Sequence, residues 1–556
     1  MSAASTGQRR HHGPRRTSAR RVAFDVLRAV QVDDAYANLL LPTRIRRAGL
    51  SARDAGFATE LTYGSIRMLG RYDAIIALAS GRRIDNVESD VLDVLRLGAH
   101  QLLAMRTPTH AAVDATVELA REVGARRATG FVNAVLRKVA ARTDDEWDAL
   151  ITAGRGGDAL LATRWSHPTW VVSALRDALA AERSRDELAA LLAADNAAPR
   201  VQLAALPGLA TDEDVAAARS HIATAAAEHA EHAEHAEHAE HVEHAERADP
   251  AERPAATEDR TGSDGPDASA ASTEPTERTE STEPTAPTTG ADDVTRVAPP
   301  GPPTDPEADL PVSPVGIRGL AGDPARVPGV AAGRLRVQDE GSQLAALALS
   351  RSSAIRPGER WLDLCAGPGG KAALLAAEAA EGGATLVANE LVPARAGLVR
   401  KALAGAGDGV TVVEGDGRRF GRDGSGVTFD RILLDAPCTG LGALRRRPEA
   451  RWRKQPEDVP ELAALQAELL DAAVRVLAPG GTLAYVTCSP HLAETRGQVD
   501  ALMARHGGEL EQLDTASVVR SVAARDPRVA DGDTVQLWPH RIGTDAMFIA
   551  LFRRVA

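Results

Sequence analysis

The chain of 556 residues is too long for one ordinary domain, and 44% hydrophobic residues are enough to form two or three cores. Three cysteines are too few for a disulfide framework. The net charge of −12 argues against a nucleic-acid partner only if it is evenly spread. Residues 228–309 hold 22 acidic residues and 5 arginines, a net of −17, which leaves the remainder at +5 and compatible with phosphate binding.

No uninterrupted apolar run reaches the roughly 18 residues that a membrane span needs. The arginines near the N-terminus are not followed by the apolar segment of a secretory signal. We therefore expect a cytoplasmic protein with no membrane association. Residues 1–20 are basic and aperiodic, and we predict a disordered tail that either contacts RNA phosphates or is a solvated leader.

Residues 21–145 predict a compact all-α domain, because apolar residues recur at helical spacing from Val22 to Val139. Residues 146–211 continue with helical patterns and end in a short apolar run at 201–206. We interpret this stretch, together with residues 310–344, as a region that links two domains.

Residues 212–309 are rich in Ala, Glu, His, Thr, Pro and Asp and nearly lack large apolar side chains. Such a segment buries too little surface to offset its ordering entropy, so we predict a disordered acidic insert. Its histidines recur every third residue from His229 to His244, which favours an expanded low-complexity repeat over a weak metal site.

Residues 345–556 alternate short β-rich runs with helical patterns, which indicates an α/β domain with a doubly wound, mostly parallel sheet. The predicted strands are Arg360–Leu364, Thr385–Asn389, Val410–Glu414, Arg431–Asp435, Thr482–Thr487 and Phe548–Phe552. The predicted helices are Lys371–Glu381, Ala394–Ala404, Leu462–Leu477 and Ala493–Arg505. Ligands of such sheets bind at the carboxyl ends of the strands.

A glycine-rich turn, Asp363 to Lys371, follows the first of these strands and leads into a helix. The positions of its glycines and lysine match neither the pattern of a phosphate-binding P-loop nor that of a dinucleotide-binding loop. Glu390 ends the second strand, where a carboxylate can accept the hydroxyls of a ribose, and Asp416 follows the third, where it can accept from an adenine amino group. These features together favour an adenosine-containing ligand such as S-adenosylmethionine.

Cys438 and Cys488 follow the fourth and fifth strands, where ligands bind. No C-x₂-C pair accompanies them, so we predict no metal. Two thiols beside a methyl donor suit cytosine C5, because a thiolate that adds to C6 makes C5 nucleophilic. Asp435 can support the charge on the ring, and a base must later remove the C5 proton.

The segments DLCAGPGGK (363–371), DAPCTGLG (435–442) and VTCSP (486–490) closely resemble the motifs of the Sun/Fmu-type 16S ribosomal RNA cytosine-C5 methyltransferases. VQDEGSQLAALAL (337–349) and LWPHRIGTDAMF (537–548) resemble further segments of that family. The helical N-terminus, with NAVLRKV (133–139), is similar to the NusB-like RNA-binding domain that precedes the Rossmann-like catalytic domain there.

The resemblance implies an S-adenosylmethionine-dependent RNA methyltransferase in which Cys488 is the nucleophile and Cys438 assists product release; spacing alone does not rank these two cysteines. It implies methyl-donor contacts from Cys365, Ala366, Gly367, Pro368, Gly369, Gly370, Lys371, Glu390, Asp416 and Asp435. The expected partner is RNA, with 16S rRNA first, and a monomer is expected.

Two alternatives remain open from the sequence: methylation of a transfer RNA or another RNA, and a non-catalytic RNA-binding transcription or assembly factor. Two departures from the family pattern also stand. Ala546 occupies a position where members often have Gly, and the acidic insert has no counterpart in the pattern.

Overall fold

The computed structural model describes residues 17–105, 107–222, 310–320, 324–422, 424 and 426–555. The predicted tail lies outside the described residues up to residue 16, and the predicted acidic insert does so from 223 to 309. No helix in these described ranges is long and apolar enough to cross a membrane.

The N-terminal part is helical, as the apolar spacing predicts. Its helices are α1 (Ala19–Val32), α2 (Ala37–Ala48), α3 (Ala52–Arg67), α4 (Leu69–Ser80), α5 (Ser89–Leu103), α6 (Thr109–Glu122), α7 (Thr129–Ala140), α8 (Asp144–Thr152) and α9 (Gly157–Arg164). Leu27, Leu95 and Leu136 are fully buried in one core that α1, α5 and α7 share. The hydroxyl of Ser18 caps α1 by accepting from the main chain of Arg21, so the helix starts inside the predicted tail.

The linking region contains α10 (Thr169–Ala181), α11 (Leu188–Asn196), β1 (Val201–Ala205), α12 (212–222 within the described residues), β2 (Gly316–Leu320), α13 (Pro328–Ala331) and β3 (Leu335–Val337). Strand β1 lies between β2 and β3, antiparallel to both, in a small sheet of its own. The sequence indicated only the first of these strands.

The prediction of disorder from residue 212 is wrong for α12. Ala218 is fully buried in a cluster with Leu203 and Leu335, on the small sheet. The carboxylate of Asp214 accepts from Arg334 Nε at 2.7 Å and from Nη2 at 2.8 Å. One buried methyl group and one bidentate ion pair therefore hold this helix on the small sheet, whose strand β3 lies more than a hundred residues later in the chain.

The C-terminal domain has the helices α14 (Glu340–Ser350), α15 (Gly370–Gly382), α16 (Pro393–Leu403), α17 (Ala450–Arg453), α18 (Asp458–Val476), α19 (Arg496–His506), α20 (Thr515–Val522) and α21 (Pro539–Ile542). Its strands are β4 (Arg360–Asp363), β5 (Thr385–Glu390), β6 (Val410–Glu414), β7 (Phe429–Asp435), β8 (Leu477–Thr487), β9 (Leu510–Gln512), β10 (Thr534–Gln536) and β11 (Phe548–Arg554).

These strands form one sheet in the order β10-β11-β8-β7-β4-β5-β6, with β9 paired to β11. The pairs from β8 to β6 are parallel, and β11 runs antiparallel to β8, β9 and β10. The predicted doubly wound, mostly parallel fold is thus confirmed. The predicted domain start at 345 falls inside α14, whose Leu344 and Leu347 are fully buried against the sheet, so the domain begins earlier.

A segment between β7 and α18 contacts the N-terminal helices. Arg451 is fully buried; its Nη1 donates to Asn196 Oδ1 at 2.8 Å and to the carbonyl of Ser166 at 3.1 Å. Arg453 Nη2 donates to the carbonyl of Val30, in α1, at 2.8 Å. The chain that follows the Cys438 loop is thus fastened to the helical part.

Because Ala218 is fully buried on the small sheet, Ala218→Asp places an uncompensated charge there and should lower the free energy of unfolding by about 3–5 kcal/mol. The neighbouring Ala217 is exposed, and Ala217→Asp is the matched control. Thermal and urea unfolding of both variants measures the effect. Equal stability of the two would show that α12 does not pack as described.

Candidate active site

The residues singled out at strand ends lie along one edge of the sheet. Parallel pairing aligns β4 with β5 and β7, and β7 with β8, so that their carboxyl ends meet. Asp363, Glu390, Asp435 and Thr487 are the last residues of four of these strands.

The glycine-rich loop packs closely on the end of β5. The main-chain N–H of Gly367 donates to Glu390 Oε2 at 3.1 Å, and a Cβ at Gly367 would lie 2.1 Å from that oxygen. Gly369 adopts a left-handed conformation (φ +104°) at the start of α15 and would place a Cβ 2.6 Å from Ala402. Both glycines are therefore required by the close approach of the loop to its neighbours.

Glu390 is buried, and its carboxylate already has partners. Oε1 accepts from the main chain of Val392 at 2.8 Å and from Arg395 Nη2 at 2.7 Å. The Arg395 side chain is 52% exposed and can turn out into solvent. A ribose that bonds to Glu390 would take the place of this arginine.

Two buried polar atoms beside the loop have no hydrogen-bond partner: Asp363 Oδ2 and Asn389 Oδ1. Burial, and then the negative charge of Asp435, raises the pKa of Asp363 to about 8. Unpaired acceptors at this edge match a ligand that brings N–H donors and positive charge. The methionine ammonium, the sulfonium and the adenine amino group of S-adenosylmethionine meet that description, so the residues present fit this donor.

Asp416 has a local role at the end of β6. Its Oδ1 accepts from the main chain of Arg418 at 3.0 Å, and its Oδ2 pairs with Arg418 Nη2 at 2.8 Å. This arginine lowers the pKa of the Asp416 carboxyl. The adenine contact expected of Asp416 stays a prediction.

Lys371 links the glycine-rich loop to the first cysteine loop. Its ammonium lies 2.8 Å from Asp435 Oδ2, and its side chain is 10% exposed. Burial would lower the pKa of Lys371, but the charge and hydrogen bond of Asp435 outweigh it and raise that pKa. The pair is therefore an ammonium and a carboxylate at the strand tips.

The sulfur atoms of Cys438 and Cys488 are 3.5 Å apart. With Cys438 as the hydrogen-bond donor, this contact lowers the pKa of Cys488 and raises that of Cys438. Burial opposes this lowering, as do the charges of Asp435 and Asp545, whereas the charge of Lys371 lowers the pKa of Cys488 further; the Arg446 guanidinium also lies close to this thiol. The third thiol, Cys365, has its pKa raised by burial. Of the three, Cys488 is the one whose surroundings favour a thiolate.

A hydrogen-bonded group behind the two cysteines escaped the sequence analysis. Glu494 is fully buried and accepts from the main chain of Thr439 at 2.8 Å and from the hydroxyl of Ser489 at 2.6 Å. Gln466 Nε2 donates to the carbonyl of Pro437 at 2.8 Å. The available signal was a hydroxyl residue directly after each cysteine, since buried hydroxyls require partners.

Gly442 and Ala546 join the cysteine loops to the strand β11. The N–H of Gly442 donates to the carbonyl of Cys488 at 2.9 Å, and its carbonyl accepts from Ala546 N at 2.8 Å. A Cβ at Gly442 would lie 2.1 Å from the Ala546 carbonyl oxygen. Ala546 itself is buried beside Leu441 and Trp538, so its methyl group is accommodated where the family pattern often has Gly.

A second acidic cluster lies next to Cys488. The N–H of Asp545 donates to both carboxylate oxygens of Asp339 at 3.0 Å, and the Asp545 carboxylate pairs with Arg446 Nε at 3.0 Å. Burial, with the charge of Asp545, raises the pKa of Asp339 to about 6. In the described ranges, no three His, Cys, Asp or Glu side chains are grouped so as to hold a metal.

Comparisons with known families match both parts of the chain. Residues 352–553 match the family described as 16S rRNA methyltransferase RsmB/F, and residues 17–141 match the NusB family. The first match covers the segments 363–371, 435–442, 486–490 and 537–548, and the second covers 133–139; the segment 337–349 lies outside both.

Curated relatives align with almost the whole chain. A putative methyltransferase of Mycobacterium tuberculosis is 41% identical over 98% of this chain and 99% of its own. Ribosomal RNA small subunit methyltransferase B of Pseudomonas putida is 31% identical over 91% of this chain and 92% of its own. The crystal structure of PH0851 has a TM-score of 0.65 at 19% identity, over 96% of this chain and 98% of that one, and thus shares the fold.

Glu390→Ala removes the predicted ribose acceptor and should weaken S-adenosylmethionine binding by about 1–3 kcal/mol, or about 5- to 150-fold. Glu414 ends the adjacent strand β6 opposite Glu390 and pairs with Arg400, so Glu414→Ala is the matched control. Titration calorimetry measures the affinities. Unchanged affinity in the Glu390 variant would refute its predicted role in donor binding.

Proposed function

The chain belongs to the RsmB/F family of S-adenosylmethionine-dependent RNA methyltransferases, and from that membership we propose that it methylates C5 of a cytosine in 16S rRNA. In this proposal the reaction passes through a covalent bond between Cys488 and C6 of the base. The observation that carries it is the pair of sulfur atoms 3.5 Å apart, at the ends of adjacent strands and beside the glycine-rich loop.

The chemistry of cytosine explains why a thiolate is needed. C5 of the free base is too weak a nucleophile to accept a methyl group from a sulfonium. Addition of the Cys488 thiolate to C6 moves electron density onto C5. The lowered pKa of Cys488 supports its choice as nucleophile, because the thiolate is the reactive form.

Asp435 and Lys371 hold opposite charges next to the cysteines. In this proposal Asp435 accepts from the amino group of the cytosine ring, and Lys371 offsets the negative charge that the attack delivers. S-adenosylmethionine, when bound, supplies the methyl group to C5. The shared hydrogen bond of the two side chains fixes both orientations before the substrate arrives.

Cys438 is suited to the last step of the proposed reaction, in which the C5 proton is removed and the methylated base is released. Its pKa is raised first by its hydrogen bond to Cys488 and then by burial, and the charges of Cys488 and Glu494 raise it further. Once Cys488 is bonded to C6, the hydrogen bond and the charge of Cys488 are gone, so Cys438 loses its proton to water more easily. Its thiolate then takes the C5 proton, the C5–H electron pair forms the C5–C6 double bond, and the Cys488 thiolate leaves. Cys438 ends as the thiol, as it began.

Replacing each cysteine should separate addition from elimination. Cys488→Ala should abolish both turnover and the covalent RNA adduct. Cys438→Ala should still attack and methylate but stall on the product, giving a slow band on a denaturing gel that depends on RNA and S-adenosylmethionine. Cys365→Ala removes the third thiol, which belongs to the predicted donor-binding loop, and should at most weaken donor binding without giving a slow band. Activity that survives both variants would remove cysteine catalysis from the proposal, and an adduct in the Cys488 variant alone would reverse the roles.

The proposed substrate can be tested in cells. Bisulfite sequencing of ribosomal RNA from cells with and without the gene should reveal one cytosine in 16S rRNA that loses protection in the mutant. The native gene should restore it, and a Cys488→Ala copy should not. If the site is lost from a transfer RNA while 16S rRNA is unchanged, the proposed substrate is wrong though the chemistry stands.

A further inference from the structure

Glu494 has no part in the chemistry proposed above, yet its carboxylate is fully buried behind the two cysteines. Burying a charged group is costly unless hydrogen bonds compensate for lost hydration. Its closest donors come from both cysteine loops, and Gln466 Nε2 in α18 donates to Oε1 at 3.4 Å. Thr439 donates its main-chain N–H to Oε1 at 2.8 Å and its hydroxyl to Oε2 at 2.5 Å, and Ser489 donates its hydroxyl to Oε2 at 2.6 Å.

The position of these donors in the sequence is informative. Thr439 directly follows Cys438, and Ser489 directly follows Cys488. Their hydroxyl oxygens are 3.0 Å apart and meet on one carboxylate oxygen, while the preceding sulfur atoms are 3.5 Å apart. One carboxylate therefore fastens both loops at the residue next to each thiol.

Glu494 is itself held firmly. Its carbonyl accepts from the Tyr485 hydroxyl at 2.7 Å, and the same hydroxyl lies 3.2 Å from Gln466 Oε1. Tyr485 belongs to β8 and Gln466 to α18, both in the domain core. The carboxylate is therefore a fixed point against which two loops are aligned.

We infer that Glu494 is a positioning residue that keeps the thiols of Cys438 and Cys488 in contact, so that each controls the protonation of the other during the reaction. The inference rests on the proposed function for its role in turnover, but the contact itself can be tested without RNA. The hydrogen bonds of Glu494, and not its charge, keep the two thiols in contact. A nearby negative charge alone would raise the pKa of both thiols.

The sign of the charge effect separates the two explanations. Without the hydrogen bonds of Glu494 the loops can part, Cys488 loses the donor that lowers its pKa, and that pKa rises. If Glu494 acted through its charge only, its removal would lower the thiol pKa values instead. Glu494→Gln removes the charge but can still accept from Thr439 N–H and donate to the two hydroxyls.

The experiment measures the rate of iodoacetamide alkylation at Cys488 against pH in the free enzyme, with each cysteine followed by peptide mass spectrometry. Glu494→Ala should raise the pKa of Cys488 by about one unit, which lowers its alkylation rate about tenfold below that pKa. Glu494→Gln should restore most of the native profile. The control Glu378→Ala removes another buried carboxylate, bonded to Ser350 and Arg351 in α14 and the turn after it, and should leave the profile unchanged.

Methylation is then assayed with 16S rRNA. Glu494→Ala should lower kcat about tenfold or more with little change in KM for RNA or S-adenosylmethionine, because the Glu494 side chain is fully buried behind the cysteines. A native alkylation profile in Glu494→Ala, or a profile in Glu494→Gln that follows the alanine variant, would overturn the inference. If Cys488→Ala stays active, the proposed chemistry is wrong. The alkylation profiles still show whether Glu494 keeps the two thiols in contact.

If Glu494→Ala does not fold, two substitutions of Thr439 perturb the same hydrogen bonds less. Thr439→Val removes the hydroxyl that donates to Glu494 at constant shape, and Thr439→Ser keeps it. The valine variant should shift the Cys488 profile upward and the serine variant should not. Identical profiles in this pair would also reject the positioning role.

Discussion

The parallel main-chain pairing of β7 with β8, in which Asp435 lies opposite Val486, is the constraint on which the active site depends. Cys438 lies three residues beyond the one strand, and Cys488 directly follows the other, so one register fixes both loops. Strand β11 pairs antiparallel with β8, so Asp545 and Ala546, which lie just before β11 in the chain, are at the same edge. A slip of one residue in either pair would turn these side chains away from each other.

The negative charge at this edge of the sheet comes from the acidic side chains that lie there. Asp363, Glu390 and Asp435 meet there; Lys371 pairs with Asp435, and the half-exposed Arg395 pairs with Glu390. A cationic methyl donor is therefore favoured, whereas RNA phosphates are not.

The sequence was sufficient for what depends on local patterns. Alternating strands and helices predicted the sheet, and glycines, carboxylates and rare cysteines at strand ends predicted which residues share its edge. Glu494 was missed because its partners lie 55 and 5 residues away, and a glutamate shows its burial only after folding. Helix α12 was predicted to be part of the insert because its composition is similar to that of the insert. The ion pair that holds it joins Asp214 to Arg334, 120 residues away in the chain, so no local pattern indicates it. Small strands such as β2 and β3 carry too few residues to show alternation.

The short distance between Cys438 and Cys488 also sets the conditions under which such a site survives. Disulfide sulfurs are about 2.05 Å apart, so a shift of roughly 1.5 Å would bring these two to bonding distance. Under the mechanism proposed above, oxidation would remove the attacking sulfur and its partner in a single two-electron event, and a thiol reductant would return both. The close approach of the two thiols would then make methylation dependent on a reducing environment, and would couple it to the redox state of the surroundings.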